Sequence, residues 1–145
     1  MRKEKFVGAW KFKSMKFETE KGEVIYPYGE KLFGMLIYTQ SGHMSVLLMN
    51  PDRQKFAFDD PLGGTQDEIK TAYKNFDAYC GTYSIDEEKE TVTHHIEGSK
   101  FPNWVGTKQV RHFKLSDDKL LLYATLKAKG KQWKAEAIFK RILRN

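Results

Sequence analysis

Apolar and polar residues alternate in short segments along most of the chain, with glycine, proline and charged turn residues between the segments. An alternation of period two is typical of strands that bury one face. After residue 80 the segments recur at the ~8–12-residue spacing of an antiparallel meander. The predicted strands span residues 6–17, 23–26, 34–39, 43–49, 81–86, 91–97, 107–115, 120–126 and 132–142.

One segment breaks this alternation and has the period of a helix. It follows a loop rich in Pro, Gly and Asp over residues 50–64. Thr65 and Glu68 have the spacing of a capping box, in which each side chain accepts a hydrogen bond from the other residue's backbone. The pattern predicts one α-helix over residues 66–79. Its apolar face would consist of Ile69, Ala72, Tyr73 and Phe76.

Eight or nine antiparallel strands in one small protein must satisfy the hydrogen-bonding groups at their edges. Closure into an up-and-down barrel removes the free edges, and a barrel of about eight strands has room for one small ligand. We therefore predict a mainly β protein of the lipocalin or calycin type, a single antiparallel barrel domain over residues 1–145 with one inserted helix. The sequence leaves open whether the helix caps the barrel mouth or packs outside.

The composition narrows the class of protein. Apolar residues make up 40% of the chain and aromatic residues 14%, which excludes a disordered chain. No apolar run approaches the ~20 residues of a membrane helix, and the first ten residues lack the apolar stretch of a signal peptide. The single cysteine, Cys80, cannot form an internal disulfide or a Cys-based metal site. We expect a cytoplasmic protein that does not insert into membranes.

The net charge of +6 is unevenly distributed, with basic residues concentrated in both terminal segments and acidic residues in the middle. In a closed barrel the first and last strands are neighbours, so their charge would collect in one sector and attract an anionic partner. The lysines alternate with apolar residues, however, as on an ordinary solvated strand face, which favours a solubilising role. No nucleic-acid motif accompanies them, and no nucleic-acid partner is predicted.

The first strand contains Gly8-Ala9-Trp10, and Arg141 lies near the end of the last strand. This arrangement resembles lipocalins, which open with G-x-W. In lipocalins the Trp closes the barrel floor and an Arg of the last strand packs over it, a favourable cation–π contact. The resemblance implies structural roles for Gly8, Trp10 and Arg141.

Further blocks of sequence carry a closer resemblance. They are YPYG (26–29), GMLIYT (34–39), GHMSV (42–46), DPLGGT (60–65), GTY (81–83), THHIEG (93–98) and FPNWVGT (101–107). Together they resemble the bacterial and fungal lipocalin-like domain family over nearly the whole chain. The resemblance implies a lipocalin-type barrel with a helix inserted between strands, and small-molecule binding inferred from that fold. It supplies no catalytic motif to carry over.

Strand parity singles out a candidate polar cluster inside the barrel. Arg111 and Phe113 share a strand face opposite to His112, so Arg111 is predicted to point inward. A buried guanidinium needs a partner, and His95 and Glu97 share a face of the preceding strand. We predict a cluster of His95, Glu97 and Arg111, in which Arg111 binds a ligand carboxylate and His95 transfers protons. The alternative is a satisfied structural network without a ligand.

Aromatic residues supply the other candidate ligand contacts. A buried tyrosine hydroxyl needs a hydrogen-bond partner, so Tyr38 and Tyr83 are better candidates than an inward Phe. Trp104 lies in a Pro/Gly loop, and loops at a barrel mouth are where ligands enter. Phe113 completes the predicted ligand-binding set. Core packing, or for Trp104 a plug at the barrel end, is the alternative for each.

The adjacent histidines His94 and His95 do not predict a metal site. Neighbouring residues on a strand point to opposite faces, so the pair cannot chelate one ion. A zinc site needs converging ligands, and the remaining histidines, His43 and His112, lie on other strands. The sequence predicts no metal and no cofactor.

Three functions fit this sequence. The first, which we favour, is an intracellular protein that holds a small apolar molecule, anionic if Arg111 binds it, in the barrel cup. The second is a cofactor-free isomerase, cyclase or hydrolase that uses the same cup, with His95 or a tyrosine as acid or base. The third is a filled barrel that serves as a protein-interaction domain. The sequence leaves the choice between monomer and homodimer open.

Overall fold

The computed structural model describes residues 2–143. Within this range, two short α-helices, α1 (Arg2–Phe6) and α2 (Gln66–Lys74), and one 3-10 helix (Pro102–Trp104) accompany nine strands. The strands are β1 (Gly8–Glu18), β2 (Val24–Ile25), β3 (Phe33–Tyr38), β4 (His43–Met49), β5 (Phe76–Asp86), β6 (Thr91–Ser99), β7 (Lys108–Leu115), β8 (Lys119–Ala128) and β9 (Lys131–Arg141).

The strands form a closed antiparallel barrel. They are hydrogen-bonded in the order β2-β1-β3-β4-β5-β6-β7-β8-β9, and β1 also pairs with β9. Eight strands therefore close the barrel. The two-residue strand β2 pairs with the last two residues of β1. Nearly every connection joins neighbouring strands, as in an up-and-down barrel. The predicted fold class is confirmed.

Aromatic residues fill one end of the barrel, which we call the closed end. Here β1 begins, β9 ends, and the β3–β4, β5–β6 and β7–β8 turns lie. The sequence pattern predicts a strand from Phe6, but this residue instead ends helix α1, and its ring is fully buried. It meets Tyr38 and Phe113 edge-on, with ring centres 5.5 and 4.8 Å away. Its carbonyl oxygen accepts a hydrogen bond from the Trp10 indole at 2.9 Å.

Helix α2 is shorter than predicted, ending at Lys74 rather than at residue 79. The predicted capping box between Thr65 and Glu68 is present and begins the helix. Phe76, which continues the helical period, already pairs with Met49 as the first residue of β5. The periodicity misled the prediction because Phe76 follows Ala72 by four residues and Tyr73 by three, as on a helix face, although in β5 it has the opposite parity to the inward Asp77 and Tyr79.

The helix lies between β4 and β5 beside the opposite end of the barrel, which we call the open end. No residue of α2 is buried, and Ile69 and Tyr73 of its apolar face remain about half exposed. Its last turn is held by Lys100, whose ammonium donates to the carbonyl oxygens of Tyr73 and Phe76 at 3.0 and 2.5 Å. None of the helix residues Gln66–Lys74 lines the interior cavity described below.

Two bulges change which residues face the interior. Between Phe12 and Ser14, β1 carries one extra residue relative to β9. A strict alternation from Trp10 and Phe12 would place Ser14 inside, but the bulge turns Met15 inward instead. A second irregularity lies between Cys80 and Gly81 of β5, opposite Gly98 and Ile96 of β6.

Candidate functional site

The barrel interior contains a cavity of about 90 Å³ toward the open end. Its walls are mainly apolar side chains from the inner faces of the strands. Aliphatic and aromatic surface of this kind binds the apolar body of a ligand by excluding water. The central apolar wall residues are Phe12, Leu36, Val46, Leu48, Leu122 and Phe139.

Polar side chains from β5, β6 and β7 reach the same cavity on one side. They include Asp77 and Tyr79 of β5, His94 of β6 and Arg111 of β7, together with Tyr28 from the β2–β3 connection. These strands are consecutive in the sheet, and inward positions of neighbouring strands lie next to each other. The apolar region of the cavity therefore adjoins this polar cluster, while Tyr123 of β8 and Glu136 of β9 also border the cavity.

His94 lies at the centre of this cluster, between two tyrosines. Its Nε2 is 2.7 Å from the hydroxyl of Tyr38, and its Nδ1 is 2.7 Å from the hydroxyl of Tyr79. The ring is only 1% exposed. Burial, with the positive charge of Arg111 as a second cause, lowers the pKa of His94 to about 3. The imidazole is therefore neutral at physiological pH, with one nitrogen as donor and the other as acceptor.

Arg111 is the cation that lines the cavity. Burial raises the pKa of the Tyr79 hydroxyl, while the charge of Arg111 and a hydrogen bond from its guanidinium lower it. The guanidinium also contacts the Gln109 amide oxygen at 3.4 Å. A guanidinium beside a tyrosine hydroxyl presents several N–H donors to the interior. This arrangement is suited to bind an acceptor oxygen.

Asp77 supplies the opposite charge at the open end. Burial raises the pKa of its carboxyl, while the charge of Lys100 and a hydrogen bond from the Tyr28 hydroxyl lower it. Burial and the neighbouring carboxylate together raise the pKa of Tyr28 well above the usual value. The cavity thus contains an acceptor carboxylate as well as the donors Tyr79 and Arg111.

No cluster of three or more His, Cys, Asp or Glu side chains among the described residues 2–143 is arranged to hold a metal ion. In the same part of the chain, no helix is long and apolar enough to span a membrane.

The model of the family described as "lipocalin-like domain" matches residues 7–142. This chain belongs to the lipocalin-like domain family. The match confirms the resemblance carried by the sequence blocks and by the G-x-W opening.

Two similar proteins place this lipocalin-like chain among known ones. It is 32% identical over 85 residues to the 4'-hydroxy-3'-methoxypropiophenone carrier protein ppsC of Aspergillus oryzae, a match that covers 54% of this chain and 77% of the relative. Among solved structures, it is similar to the siderocalin Ex-FABP, described as functioning through dual ligand specificities. That similarity has a TM-score of 0.35 and 11% identity, and it covers 95% of this chain and 71% of the other.

Two of the predicted ligand-binding residues line the cavity of this lipocalin-like barrel. Arg111 points inward, as its parity predicts. Trp104 reaches the cavity from the 3-10 helix between β6 and β7, at the open end. Its ring meets Tyr79 edge-on at 5.9 Å and Phe101 at 5.7 Å. Trp104 therefore forms part of the wall between the polar cluster and solvent.

Three predicted ligand contacts lie below the cavity, toward the closed end, and do not line it. Tyr38 is buried and reaches His94 through its hydroxyl. Tyr83 packs 4.7 Å from the Tyr38 ring and donates its hydroxyl proton to the carbonyl oxygen of Thr39 at 2.7 Å. Phe113 packs against Phe6. These three side chains pack in the core of the closed end.

The predicted placement of His95 and Glu97 beside Arg111 is wrong. His95 faces outward, with Nε2 3.2 Å from the Ser84 hydroxyl, and Glu97 is exposed at the bulge. His94 takes the inward position instead. The sequence holds the signal for this, since Val92 and Ile96 flank His94 at the same parity and both are buried.

The sequence prediction also missed Tyr28 and Asp77 as cavity residues. Tyr28 lies in an irregular connection, for which parity gives no orientation. Asp77 lies inside the predicted helix 66–79, for which strand parity gives no orientation. Once β5 is known to begin at Phe76, the inward parity of Tyr83 assigns both Tyr79 and Asp77 to the interior.

Proposed function

We propose that this protein binds a small, mainly apolar molecule in the open-end cavity and acts as a carrier. The lipocalin-like fold supports small-molecule binding, and so does a relative that is named as a carrier protein. The observation that carries the proposal is the cavity itself, in which apolar walls end at the buried polar cluster of Tyr79, His94 and Arg111. Apolar walls with a few converging polar groups are typical of ligand sites.

The cavity limits the size of the ligand. Its volume of about 90 Å³ is below the roughly 300 Å³ at which drug-sized sites begin. The ligand must therefore be small, or the open end must widen to admit it. Two lining side chains are suited to move: Met15, which is unbranched, and Trp104, which lies on a surface loop and is only partly buried.

The polar cluster limits the chemistry of the ligand. The ketone in the ligand of the named relative is an acceptor, and its phenolic hydroxyl is a donor. Arg111 and Tyr79 match the first group, and the Asp77 carboxylate matches the second. Since Arg111 is a permanent cation, our proposal includes ligands with an anionic group at this position.

The electrostatics of the cluster support binding over catalysis. An effective acid or base has a pKa near the working pH. The pKa of His94 is lowered to about 3, which makes its neutral ring a weak base. Burial raises the pKa of Tyr79 and Tyr38, which makes their hydroxyls weak acids. These groups are suited to hold hydrogen bonds rather than to transfer protons at neutral pH.

The proposed setting is the cytoplasm. Cys80 carries a free thiol and is exposed on the outer face of β5. A reducing compartment keeps such a thiol from forming disulfides between molecules.

Native mass spectrometry of the protein purified from cells tests the proposal. The measurement is then repeated after addition of 4'-hydroxy-3'-methoxypropiophenone. We expect a one-to-one complex that dissociates on unfolding. Ala137→Leu fills the cavity from β9 and should abolish the complex. Ala78→Leu is the matched control, because Ala78 pairs with the outward Leu47 and does not line the cavity. Complexes retained by Ala137→Leu, or absent from the wild type under both conditions, would contradict cavity binding.

A further inference from the structure

Tyr38, His94 and Tyr79 together carry one more proton than the two hydrogen bonds between them use. Each tyrosine hydroxyl carries one proton, and a neutral imidazole carries one more. The two contacts of His94, with Tyr38 at Nε2 and Tyr79 at Nδ1, use two of the three protons. The third must remain on a hydroxyl at one end of this chain of groups. The imidazole tautomer decides which end.

The Tyr38 end offers no acceptor for that proton. The Tyr38 side chain is 1% exposed and lies against the rings of Phe6 and Tyr83. Among the described residues 2–143, His94 is the hydrogen-bond partner of its hydroxyl, and no second one is present. A buried O–H donor without an acceptor is costly. Tyr38 is therefore favoured as the donor to His94 Nε2, and Nδ1 then carries the imidazole proton.

The Tyr79 end opens into the cavity. With Nδ1 protonated, the Tyr79 oxygen accepts from His94, and the positive charge of Arg111 acts on the same hydroxyl. Its own proton is then free to be donated. Asp77 acts on Tyr79 through its charge and not through a hydrogen bond. Among the described residues no further side chain accepts this proton, so it is available to whatever occupies the cavity, water or a ligand.

We infer that Tyr38 and His94 orient the Tyr79 hydroxyl proton into the cavity, so that the site selects ligands with an acceptor oxygen, a carbonyl or a carboxylate, beside Arg111. This inference rests on the proposed function for the presence of a ligand. Tyr79 is the contact residue. Tyr38 and His94 are positioning residues, since neither has a free proton to give the ligand.

The tautomer of His94 tests the orientation without any ligand. Nitrogen-15 labelling of histidine and long-range proton–nitrogen NMR distinguish a proton on Nδ1 from one on Nε2. We expect Nδ1–H for His94 in the wild-type protein at neutral pH. A proton on Nε2 would overturn the inference, because Tyr79 would then donate to His94 instead of to a ligand. This result does not depend on whether the cavity binds anything.

A series of three small probes tests the selectivity. Propiophenone, propylbenzene and 3-phenylpropanoate share a phenyl body and differ in the acceptor oxygen. We expect the ketone or the carboxylate to bind about tenfold more tightly than propylbenzene to the wild type, one hydrogen bond's worth. The ketone and carboxylate arms show which of the two oxygen types the site prefers.

Two Tyr→Phe variants separate the contact from general effects of losing a hydroxyl. Tyr79→Phe should weaken the preference for the acceptor oxygen, since only the Arg111 donors remain, while propylbenzene binding stays the same. Tyr83→Phe loses a hydroxyl that bonds Thr39 off the cavity and should retain the preference. Equal binding of all three probes to the wild type, or a preference that Tyr79→Phe leaves undiminished, would overturn the inference. If no probe binds, the proposed function fails at this ligand size, and the tautomer still decides the orientation.

Discussion

The guanidinium carbon of Arg141 lies 4.2 Å from the centre of the Trp10 ring, at the closed end of the barrel. The same guanidinium donates to the carbonyl oxygens of Asp117 at 2.8 Å and Val7 at 3.0 Å, and also to that of Lys5. A Cβ on Gly8 would lie 3.1 Å from its Nη1 atom, at a φ of +132° that favours glycine. Arg141 thus joins the N-terminal segment, β1 and the β7–β8 turn.

Replacing Arg141 with Lys should destabilise the fold by about 2–3 kcal/mol. The lysine retains the charge but loses the planar fork that bonds several carbonyl oxygens and stacks on the indole. The free energy of unfolding in guanidinium chloride measures the loss. Lys140→Ala, at the exposed neighbouring position, should change it by less than about 0.5 kcal/mol. Similar values for the two variants would contradict this role of Arg141.

At the bulge between β5 and β6, the fold should tolerate a methyl group on Gly98 and not on Gly81. A Cβ on Gly81 would lie 1.9 Å from the His95 carbonyl oxygen, so Gly81→Ala must displace backbone. We expect a loss of roughly 3 kcal/mol or more. On Gly98 the nearest atom, the Cys80 sulfur, is 3.5 Å away, and Gly98→Ala should cost less than about 1 kcal/mol. Thermal unfolding of the two variants makes the comparison.

Acid should destabilise the protein through His94. The pKa of this histidine is about 3 in the folded protein and 6.5 when exposed, so the unfolded chain binds a proton that the folded protein does not. The sign follows from this difference: stability is present above pH 6.5 and is lost as the pH falls below it. Between pH 7 and pH 5 the expected loss from this group is about 2 kcal/mol. Urea unfolding at a series of pH values measures it.

The variant His94→Gln removes this contribution, and its stability should vary less over the same pH range. The raised pKa of Asp77 acts in the opposite direction, since a folded-state carboxyl that holds its proton gains stability as the pH falls. That contribution is common to both proteins and cancels in the difference. His112→Gln is the control at an exposed position and should retain the wild-type slope, because the charge of His112 is not among the causes that lower the pKa of His94. Equal slopes for His94→Gln and the wild type would contradict a buried neutral His94.

The barrel was predictable because apolar and polar residues alternate regularly in most strands, and turn residues separate these strands. The predicted bounds of β4 match the structure, and those of β3 are shifted by one residue. The β1 bulge was not predictable, because Lys13 and Ser14 carry no local signal for an extra residue. The boundary at Phe76 was missed because this residue continues the helical spacing of Ala72 and Tyr73 although it is already paired with Met49 in β5.

The candidate site was predicted only in part. Parity placed Arg111 and loop position placed Trp104 at the cavity. His95 shares its parity with Glu97, a possible charge partner of Arg111, whereas the buried apolar neighbours Val92 and Ile96 indicate that His94 faces inward. The hydrogen bonds from Tyr38 to Tyr79 through His94 join residues of three strands, and their meeting depends on the register of the sheet.

The most direct test of the account is an NMR titration of the protein with 4'-hydroxy-3'-methoxypropiophenone. We predict saturable one-to-one shifts that are largest for the methyl groups of Leu36, Val46, Leu48 and Leu122, and for the side chains of Tyr79 and Arg111, which all line the cavity. The exposed methyl groups of Ile37 and Leu47, on the outer face of the same strands, should not shift. Chemical-shift changes confined to residues of the outer face would contradict ligand binding inside this barrel. So would the absence of any change at ligand concentrations high enough to saturate a carrier protein.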